Sequence, residues 1–196
     1  MMRLGRLLLS FLCVLALTAG APAGIALAGT APLQTQPRTT VASLDVPSQL
    51  EAMRKLDFMV GRWVGSGWTI TETGAREEFY QTEQVQYQAG GLVISIQGDS
   101  RDKEDPRETV HTAFAVINYN DITQQYRWES FARGYVTEVV PVVGPNTFQW
   151  TLDVPGVKLR YTLEFTAKTW HEIGEISFDG GQTWQQNFQM DLRRLK

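Results

Sequence analysis

The sequence contains few of the side chains that enzymes use for nucleophilic attack, proton transfer or metal binding. It has one cysteine and two histidines in 196 residues. The cysteine is Cys13, so the chain beyond it forms no disulfide and must be stabilised by a buried core. No Gly-x-Ser-x-Gly or Ser-x-x-Lys motif stands in a suitable context for a nucleophilic serine. No spacing of His, Cys and acidic residues indicates zinc, so we predict no metal ligand and no catalytic residue.

The chain also lacks an excess of positive charge. It has 18 Lys and Arg residues against 21 Asp and Glu residues, with a formal net charge of −3 at pH 7. Nucleic acids and anionic membranes are bound by basic surfaces, and this composition offers none. We therefore expect no nucleic-acid partner, and once the N-terminal segment described below is cleaved we expect no stable membrane insertion. A small molecule remains as the candidate partner, and the oligomeric state is left open.

A long apolar run occurs only at the N-terminus. Two arginines precede an apolar stretch over 7–17, and Ala-x-Ala sites follow, the second ending at Ala28. This pattern is typical of a secretory signal peptide. We predict that residues 1–28 are a signal peptide cleaved after Ala28, and that the protein is periplasmic or secreted. The alternative is an uncleaved membrane anchor, although the run is shorter than the ~20 residues that span a bilayer.

The next segment shows no regular pattern. Residues 29–46 are rich in Thr, Pro, Gln and Ala, which predicts a flexible leader before a folded domain over 47–196. Ser48 and Glu51 form a capping-box pattern, and apolar residues follow at helical spacing. We therefore predict one short helix over 48–56.

Beyond this helix, apolar and polar residues alternate and turn residues recur at short intervals. The alternation predicts ten strands, over 62–72, 77–88, 91–99, 109–119, 124–131, 136–142, 147–153, 157–166, 170–178 and 183–193. The longest turn, 97–108, is almost wholly charged and predicts a solvated loop.

An antiparallel meander of this length would expose two long edges as an open sheet, whereas closing the sheet removes them. We predict a mainly β fold, an antiparallel up-and-down β-barrel of about 8–10 strands with one short N-terminal helix. A two-sheet sandwich is the alternative.

The start of the first predicted strand carries a family resemblance. The motif Gly61-x-Trp63 before a barrel resembles the calycin superfamily, which includes lipocalins, and the longer stretch 61–67 is similar to nitrobindin-like haem barrels. The chain is also similar to exported, lipocalin-like bacterial proteins of domain of unknown function 1579. The features that carry this similarity are Gly61, Trp63, Gly90, Gly91, Asn118, Tyr119, Asn120, Tyr126, Trp128 and Arg193.

The resemblance implies a structural role for its most recognisable residues. In calycins the tryptophan plugs the closed end of the barrel beneath an arginine of the last strand. Trp63 with Arg193, or with its neighbour Arg194, would form this plug through a cation–π contact worth roughly 1–2 kcal/mol. Gly61 would let the first strand bend as the barrel closes.

A second motif lies near the C-terminus. The stretch from Ser177 to Trp184 fits the Asp-box pattern, Ser-x-Asp-x-Gly-x-Thr-Trp, found in sialidase-like propellers. A propeller repeats the box, whereas this sequence has one copy. We therefore predict a stiff structural turn in which Asp179 binds backbone N–H groups, Gly181 adopts positive φ and Trp184 anchors the next strand.

The richness in aromatic residues points to a ligand. With six Trp, six Tyr and nine Phe, the chain has more rings than core packing strictly needs. A barrel of this size is either packed shut or encloses one small ligand. We expect the candidate cavity to be lined by Phe114, Trp128, Trp150, Tyr161 and Trp170, with Arg160 at the rim to pair with a ligand carboxylate.

These observations favour an exported, non-catalytic barrel that binds a small hydrophobic or amphipathic molecule in the cell envelope. One alternative is a barrel that binds haem or converts a small molecule. Such an enzyme predicts a buried charged side chain or histidine with a shifted pKa. His111 is the better haem-ligand candidate of the two histidines, because the strand pattern places His171 outward. The other alternative is a packed barrel with a structural or interaction role.

Overall fold

The computed structural model describes residues 45–196. The signal peptide predicted over 1–28, and the leader predicted over 29–46 except for its last two residues, lie outside the described residues. No helix within 45–196 is both long and apolar enough to cross a membrane.

The single α-helix begins earlier than predicted. Helix α1 spans Val46–Arg54, and Asp45 rather than Ser48 caps it. The Asp45 carboxylate accepts a hydrogen bond from the Ser48 backbone N–H at 3.1 Å. Pro47 lies in the first turn, where its missing N–H leaves no helix hydrogen bond unmade. The capping-box interpretation was therefore wrong about the capping residue.

Eleven strands follow: β1 (Gly61–Ile70), β2 (Arg76–Gln88), β3 (Val93–Asp102), β4 (Thr109–Asn120), β5 (Gln125–Ala132), β6 (Tyr135–Val139), β7 (Val142–Gly144), β8 (Thr147–Val154), β9 (Val157–Phe165), β10 (Thr169–Ser177) and β11 (Gln185–Arg194). They form one antiparallel sheet in the order β6-β5-β4-β3-β2-β1-β11-β10-β9-β8-β7. The sheet curls until rings from opposite ends touch, with the Trp128 and Trp150 centroids 4.8 Å apart. The predicted fold class is confirmed: a mainly antiparallel, calycin-like barrel with one short helix.

Two features of the sheet differ from the prediction. The strand predicted over 136–142 is divided into β6 and β7 at Pro141, which has no N–H for the ladder. The loop predicted over 97–108 is shorter, because β3 continues to Asp102. The side chain of Asp102 accepts hydrogen bonds from the backbone N–H groups of Glu104 and Asp105, and this turns the chain.

One end of the barrel is filled by a dry apolar core. The inner face of the sheet is the face that carries the core side chains of the strands. Near α1 this face is fully buried, with Val85, Ile94, Ile117, Phe148 and Leu192 packed against Met53, Leu56 and Met59 from the helix and the turn after it. Tyrosine hydroxyls also hold the helix in place: Tyr87 donates to the Met53 carbonyl at 3.0 Å and Tyr126 to the Ala52 carbonyl at 2.7 Å.

Trp63 and Arg194 form the plug at this closed end. Trp63 is 0% exposed, and its indole N–H donates to the Met59 carbonyl at 2.9 Å. The Arg194 guanidinium lies 4.0 Å from the indole centroid and donates to the Phe58 carbonyl at 2.7 Å. The choice of Arg193 was wrong. Arg194 is the direct partner of Trp63 in the β1–β11 ladder, so Arg193 points to the opposite, exposed face.

Gly61 makes room for this plug. Its φ of +147° is one that side chains rarely adopt, and a Cβ there would lie 2.6 Å from Nη1 of Arg194. The same guanidinium also donates to the carbonyls of Val60 and Ala167. Gly61 therefore admits the arginine as well as permitting the bend in β1.

The Asp-box segment forms the stiff turn that the sequence predicts. Asp179 Oδ1 accepts from the backbone N–H groups of Gln182 and Thr183, each at 2.9 Å. These bonds and the Thr183 hydroxyl hold the pKa of Asp179 well below its usual range. Gly181 has a φ of +98°, and the Trp184 indole donates to its carbonyl at 3.0 Å.

We predict that Arg194→Gln lowers the free energy of unfolding by about 2 kcal/mol, because it removes the cation–π contact and leaves the part-buried carbonyls of Phe58 and Val60 without their donor. The matched control is Arg193→Gln, which should change the free energy of unfolding by less than about 0.5 kcal/mol. Urea unfolding of the two variants measures the difference. Equal losses would mean that the plug does not depend on Arg194.

Candidate ligand-binding site

Beyond the plug, the inner face of the sheet is partly exposed, and we call this part of the barrel interior the lumen. Inner-face residues on strands from both ends of the sheet keep part of their surface exposed there, among them Ile96, Ser130, Trp150, Tyr161 and Phe188. Side chains that face the centre of a curled sheet and still touch solvent line an internal space. The barrel is therefore filled at the α1 end and accessible beyond it.

Glu83 lies on β2 at the boundary between the plug and the lumen. It is the ladder partner of Trp63 on β1, and its Oε1 accepts a hydrogen bond from the Gln81 side chain at 2.6 Å. Gln81 in turn accepts from the Ser100 hydroxyl on β3. The other carboxyl oxygen, Glu83 Oε2, is buried and has no hydrogen-bond partner among the described residues. Burial raises the pKa of Glu83 to about 7.

Glu172 on β10 is the second carboxyl at this level. It is 9% exposed, and its Oε2 accepts from the Trp170 indole at 3.2 Å. Burial and the nearby Glu83 charge raise the pKa of Glu172 to about 8. Burial, followed by the Glu172 charge, raises the pKa of Tyr161 as well. The floor of the lumen thus carries two carboxyl groups that hold protons near neutral pH.

Glycine at position 98 leaves space for the Glu83 carboxyl. Gly98 is the ladder partner of Glu83, and a Cβ there would lie 2.6 Å from Glu83 Oε1. The ladder continues from Gly98 to Ala113 on β4 and Ala132 on β5. Small residues therefore line the inner face from the Glu83 carboxyl across two further strands.

A row of aromatic rings runs along the inner face. Trp150 and Tyr161 are stacked with centroids 4.3 Å apart, and Trp128 stacks on the other side of Trp150 at 4.8 Å. Phe188 continues the row at 5.6 Å from Tyr161, and Phe79 stacks on Phe188 at 5.8 Å. These rings give the lumen an apolar wall beside its acidic floor.

The structure thus brings together three of the predicted lining residues, namely Trp128, Trp150 and Tyr161. Trp170 lies deeper, 3% exposed and 5.9 Å from Trp63 in an edge-on contact, where it forms part of the plug. That any of these rings contacts a ligand stays a prediction.

Two predicted site residues lie elsewhere. Phe114 is 43% exposed, because its strand neighbours Ala113 and Ala115 take the inner face and direct Phe114 outward. Arg160 is also on the outer face. It pairs with Glu175 at 2.8 Å and lies 4.1 Å above the Trp184 ring, so its guanidinium already has partners. Neither residue is placed to line the lumen.

The haem hypothesis has one residue in its favour. His111 is half-buried on the inner face, where burial and the charge of Arg133 lower its pKa. Among residues 45–196 no three His, Cys, Asp or Glu side chains are grouped to hold a metal ion. One half-buried histidine does not define a haem site.

Neither Glu83 nor Glu172 is predicted as a site residue, although the sequence carries a signal for both. Glu172 is two residues from Trp170, and Glu83 is two residues from Val85. Residues two apart on a strand share one face of the sheet, so both carboxyls lie on an apolar face. Ser100 was missed because it falls within the segment predicted as a loop over 97–108, whereas the structure places it on β3. The pattern that identifies such acids is a charged residue at a position where the apolar residues of the same strand face inward.

Comparisons with known proteins support the fold. The chain is similar to Rv2717c from M. tuberculosis at 13% identity and TM-score 0.57, over 74% of this chain and 98% of that one. It is also similar to the S-type phycobiliprotein lyase CpeS from Guillardia theta at 13% identity and TM-score 0.52, over 74% of this chain and 93% of that one. No protein-family model matches the chain, and no curated protein matches it in sequence. At this identity the likeness shows a shared fold alone.

We predict that Glu172→Gln stabilises the protein at pH 9 by about 3 kcal/mol relative to its effect at pH 5. Because the pKa of Glu172 is higher in the folded state than in the unfolded chain, its contribution to stability falls as pH rises from about 4.5 to about 8. Glutamine removes that loss. Urea unfolding at both pH values measures it, with the exposed Glu164→Gln as control. A pH-independent effect of Glu172→Gln would contradict the buried-carboxyl interpretation.

Proposed function

We propose that this protein is a non-catalytic barrel that binds a small hydrophobic or amphipathic molecule in its lumen. The observation that carries the proposal is the row of inner-face aromatic rings, because Trp128, Trp150, Tyr161 and Phe188 each keep part of their surface exposed. Apolar surface that stays exposed inside a curled sheet is surface that a hydrophobic ligand would remove from water.

The chemistry of the walls agrees with this function. Small-molecule sites are concave and mostly apolar, with a few polar groups that orient the ligand. Here the row from Trp128 to Phe188 is the apolar wall, and Glu83, Gln81 and Ser100 are the polar groups.

One structural neighbour is named for its action on phycobiliproteins. That protein shares only the fold with this chain, so its name agrees with a functional role for a barrel of this type without identifying a ligand. The relationship to domain of unknown function 1579 or to nitrobindin-like barrels also remains part of the proposal, and it rests on the motif around Trp63.

A second function is favoured by one observation. Buried carboxyls with raised pKa values are the groups that enzymes use for general acid–base catalysis, and Glu172 is such a group. The two functions are distinguished by the bound molecule. If the protein only binds, wild type and Glu172→Gln carry the same compound. If it is an enzyme, wild type carries the product and Glu172→Gln carries the unconverted substrate.

We expect the neutral dye N-phenyl-1-naphthylamine to bind the lumen and to be excluded by Ala113→Phe. The larger ring at position 113 occupies inner-face space beside Gly98, so the Kd should rise about tenfold or more. The matched control is Thr112→Phe on the exposed outer face of the same strand, which should bind like wild type. Dye fluorescence measures both. Equal binding by wild type and both variants would place the dye outside the lumen.

Export is the other part of the proposal. We expect protein purified from an exporting host to begin at Gly29, because cleavage follows the Ala-x-Ala site that ends at Ala28. Its denatured mass measures the N-terminus, and its native mass measures any retained ligand. A full-length chain in the membrane fraction would instead support the uncleaved anchor.

A further inference from the structure

A row of exposed apolar side chains crosses one end of the sheet. Phe114 on β4, Phe131 on β5 and Val136 on β6 are all exposed on its outer face. Phe131 is the ladder partner of both Phe114 and Val136, so the three form one row, which we call the outer row. The two phenyl rings lie 6.3 Å apart between centroids, and a groove of about 500 Å³ lies along the row. Contiguous apolar surface of this kind marks an interaction site.

The outer row ends at an open edge of the sheet, because β6 is the last strand on its side. The two-residue turn over 133–134 has positive φ at both positions, which is the geometry of a type I′ hairpin. Its flanking residues, Ala132 and Tyr135, exchange hydrogen bonds across the ladder. Hydrogen-bonded pairs alternate along an antiparallel ladder, so Val136 and Glu138 direct their N–H and C=O groups away from β5. Val136 therefore presents an apolar side chain and two backbone groups at the open edge.

Antiparallel pairing of β6 with the same strand of a second copy joins two such edges. Directly opposite residues share a face of the sheet, so the two-fold axis must pass beside one residue of β6. With the axis at Val136, its N–H and C=O meet those of the partner's Val136, and the two outer rows join into one apolar strip across six strands.

The neighbouring registers match the side chains less well. With the axis at Thr137, Val136 would face the acid of the partner's Glu138. With the axis at Glu138, two carboxylates would lie opposite each other, and with the axis at Tyr135, Val136 would face the partner's Gly134, which has no side chain. Apolar matching therefore selects the register centred on Val136.

The charges at the edge agree with this register. Arg127 pairs with Glu129 at 2.9 Å and with Glu138 at 2.7 Å, so these three side chains carry one net negative charge. With the outer rows joined, Glu138 lies opposite the partner's Gly134, next to the partner's Arg133. Arg133 is exposed in the turn, so its positive charge lies beside the negative group of the other copy. The two-fold axis makes this contact twice, and complementary charges of this kind fix register and partner choice.

We propose that two copies of the chain associate by antiparallel pairing of β6, with the two-fold axis at Val136 and the outer rows joined into one apolar strip. The strand is five residues long, so the interface is small and the dimer dissociates readily. The pairing uses the edge and the outer face of the sheet. It is therefore independent of the ligand proposed for the lumen.

A cysteine cross-link tests both the interface and its register. In a full-length chain with Cys13→Ser, the variant Val136→Cys places two thiols at the two-fold axis. Opposite Cα atoms of a hydrogen-bonded pair are about 5.5 Å apart, which a disulfide can span. The matched control Glu138→Cys is on the same strand and face, but its two copies would lie about 13 Å apart. A second control, Val142→Cys, is at an exposed position on β7. We expect a covalent dimer from Val136→Cys at least about tenfold faster than from either control, measured on non-reducing gels after mild oxidation.

Sedimentation equilibrium measures the association without a cross-link. We expect wild type to form dimers at concentrations up to about 200 µM, and Val136→Lys to raise the dimer Kd about tenfold or more, because it places two like charges at the axis. Val142→Lys adds the same charge at a valine of similar exposure, 67% against 62%, and should dimerise like wild type. Circular dichroism shows whether each variant is folded.

The cross-linking rates decide the outcome. Equal rates at the three cysteine positions overturn the proposal, whether or not wild type dimerises, because the interface would then lie elsewhere or be absent. A faster rate for Glu138→Cys overturns the register. A dimer that survives unchanged in Val136→Lys also contradicts the proposal. Binding of N-phenyl-1-naphthylamine tests the proposed function separately, since a monomer that binds the dye rejects the dimer alone.

Discussion

The stacking of Arg194 on Trp63 holds together the end of the barrel on which the rest of the structure depends. The guanidinium joins β11 to the segment before β1, because it donates to the carbonyls of Phe58 and Val60 while lying over the indole. This places the first and last strands side by side at the centre of the sheet order. The two halves of the meander extend outward from that pair, so the register of the pair fixes which side chains face inward on all other strands.

The same register accounts for the acidic floor. Trp63 and Glu83 are partners across β1 and β2, so the residue that closes the barrel also determines the depth of the first carboxyl. The apolar core near α1 is fully buried and supplies the stability, whereas the polar layer above it reduces stability because its acids are desolvated. A protein can retain such a layer when its cost is small relative to the core, and functional sites are where this commonly occurs.

The sequence predicts the strands well because period-two alternation and turn residues are local signals. It merges β6 and β7 into one strand, since the effect of Pro141 depends on whether the ladder needs an N–H at that position. The choice between Arg193 and Arg194 depends on the β1–β11 register, a long-range pairing that no local pattern contains. The acids at 83 and 172 were missed for a different reason. A rule that treats charged residues as exposed cannot identify a site whose defining property is buried charge.

The aromatic row links ligand binding to barrel closure. The hydrogen-bonded sheet ends at β6 and β7, which are kept short and separated by Pro141, as exposed edges commonly are. Across this open seam the Trp128 ring from β5 stacks on Trp150 from β8, so side chains rather than a ladder join the two halves there. Because Trp150 also stacks on Tyr161, the rings that close the seam are the rings that line the lumen. A ligand of the proposed kind, packed on this row, would contact both halves of the sheet, and its binding free energy would stabilise the seam that the backbone leaves open.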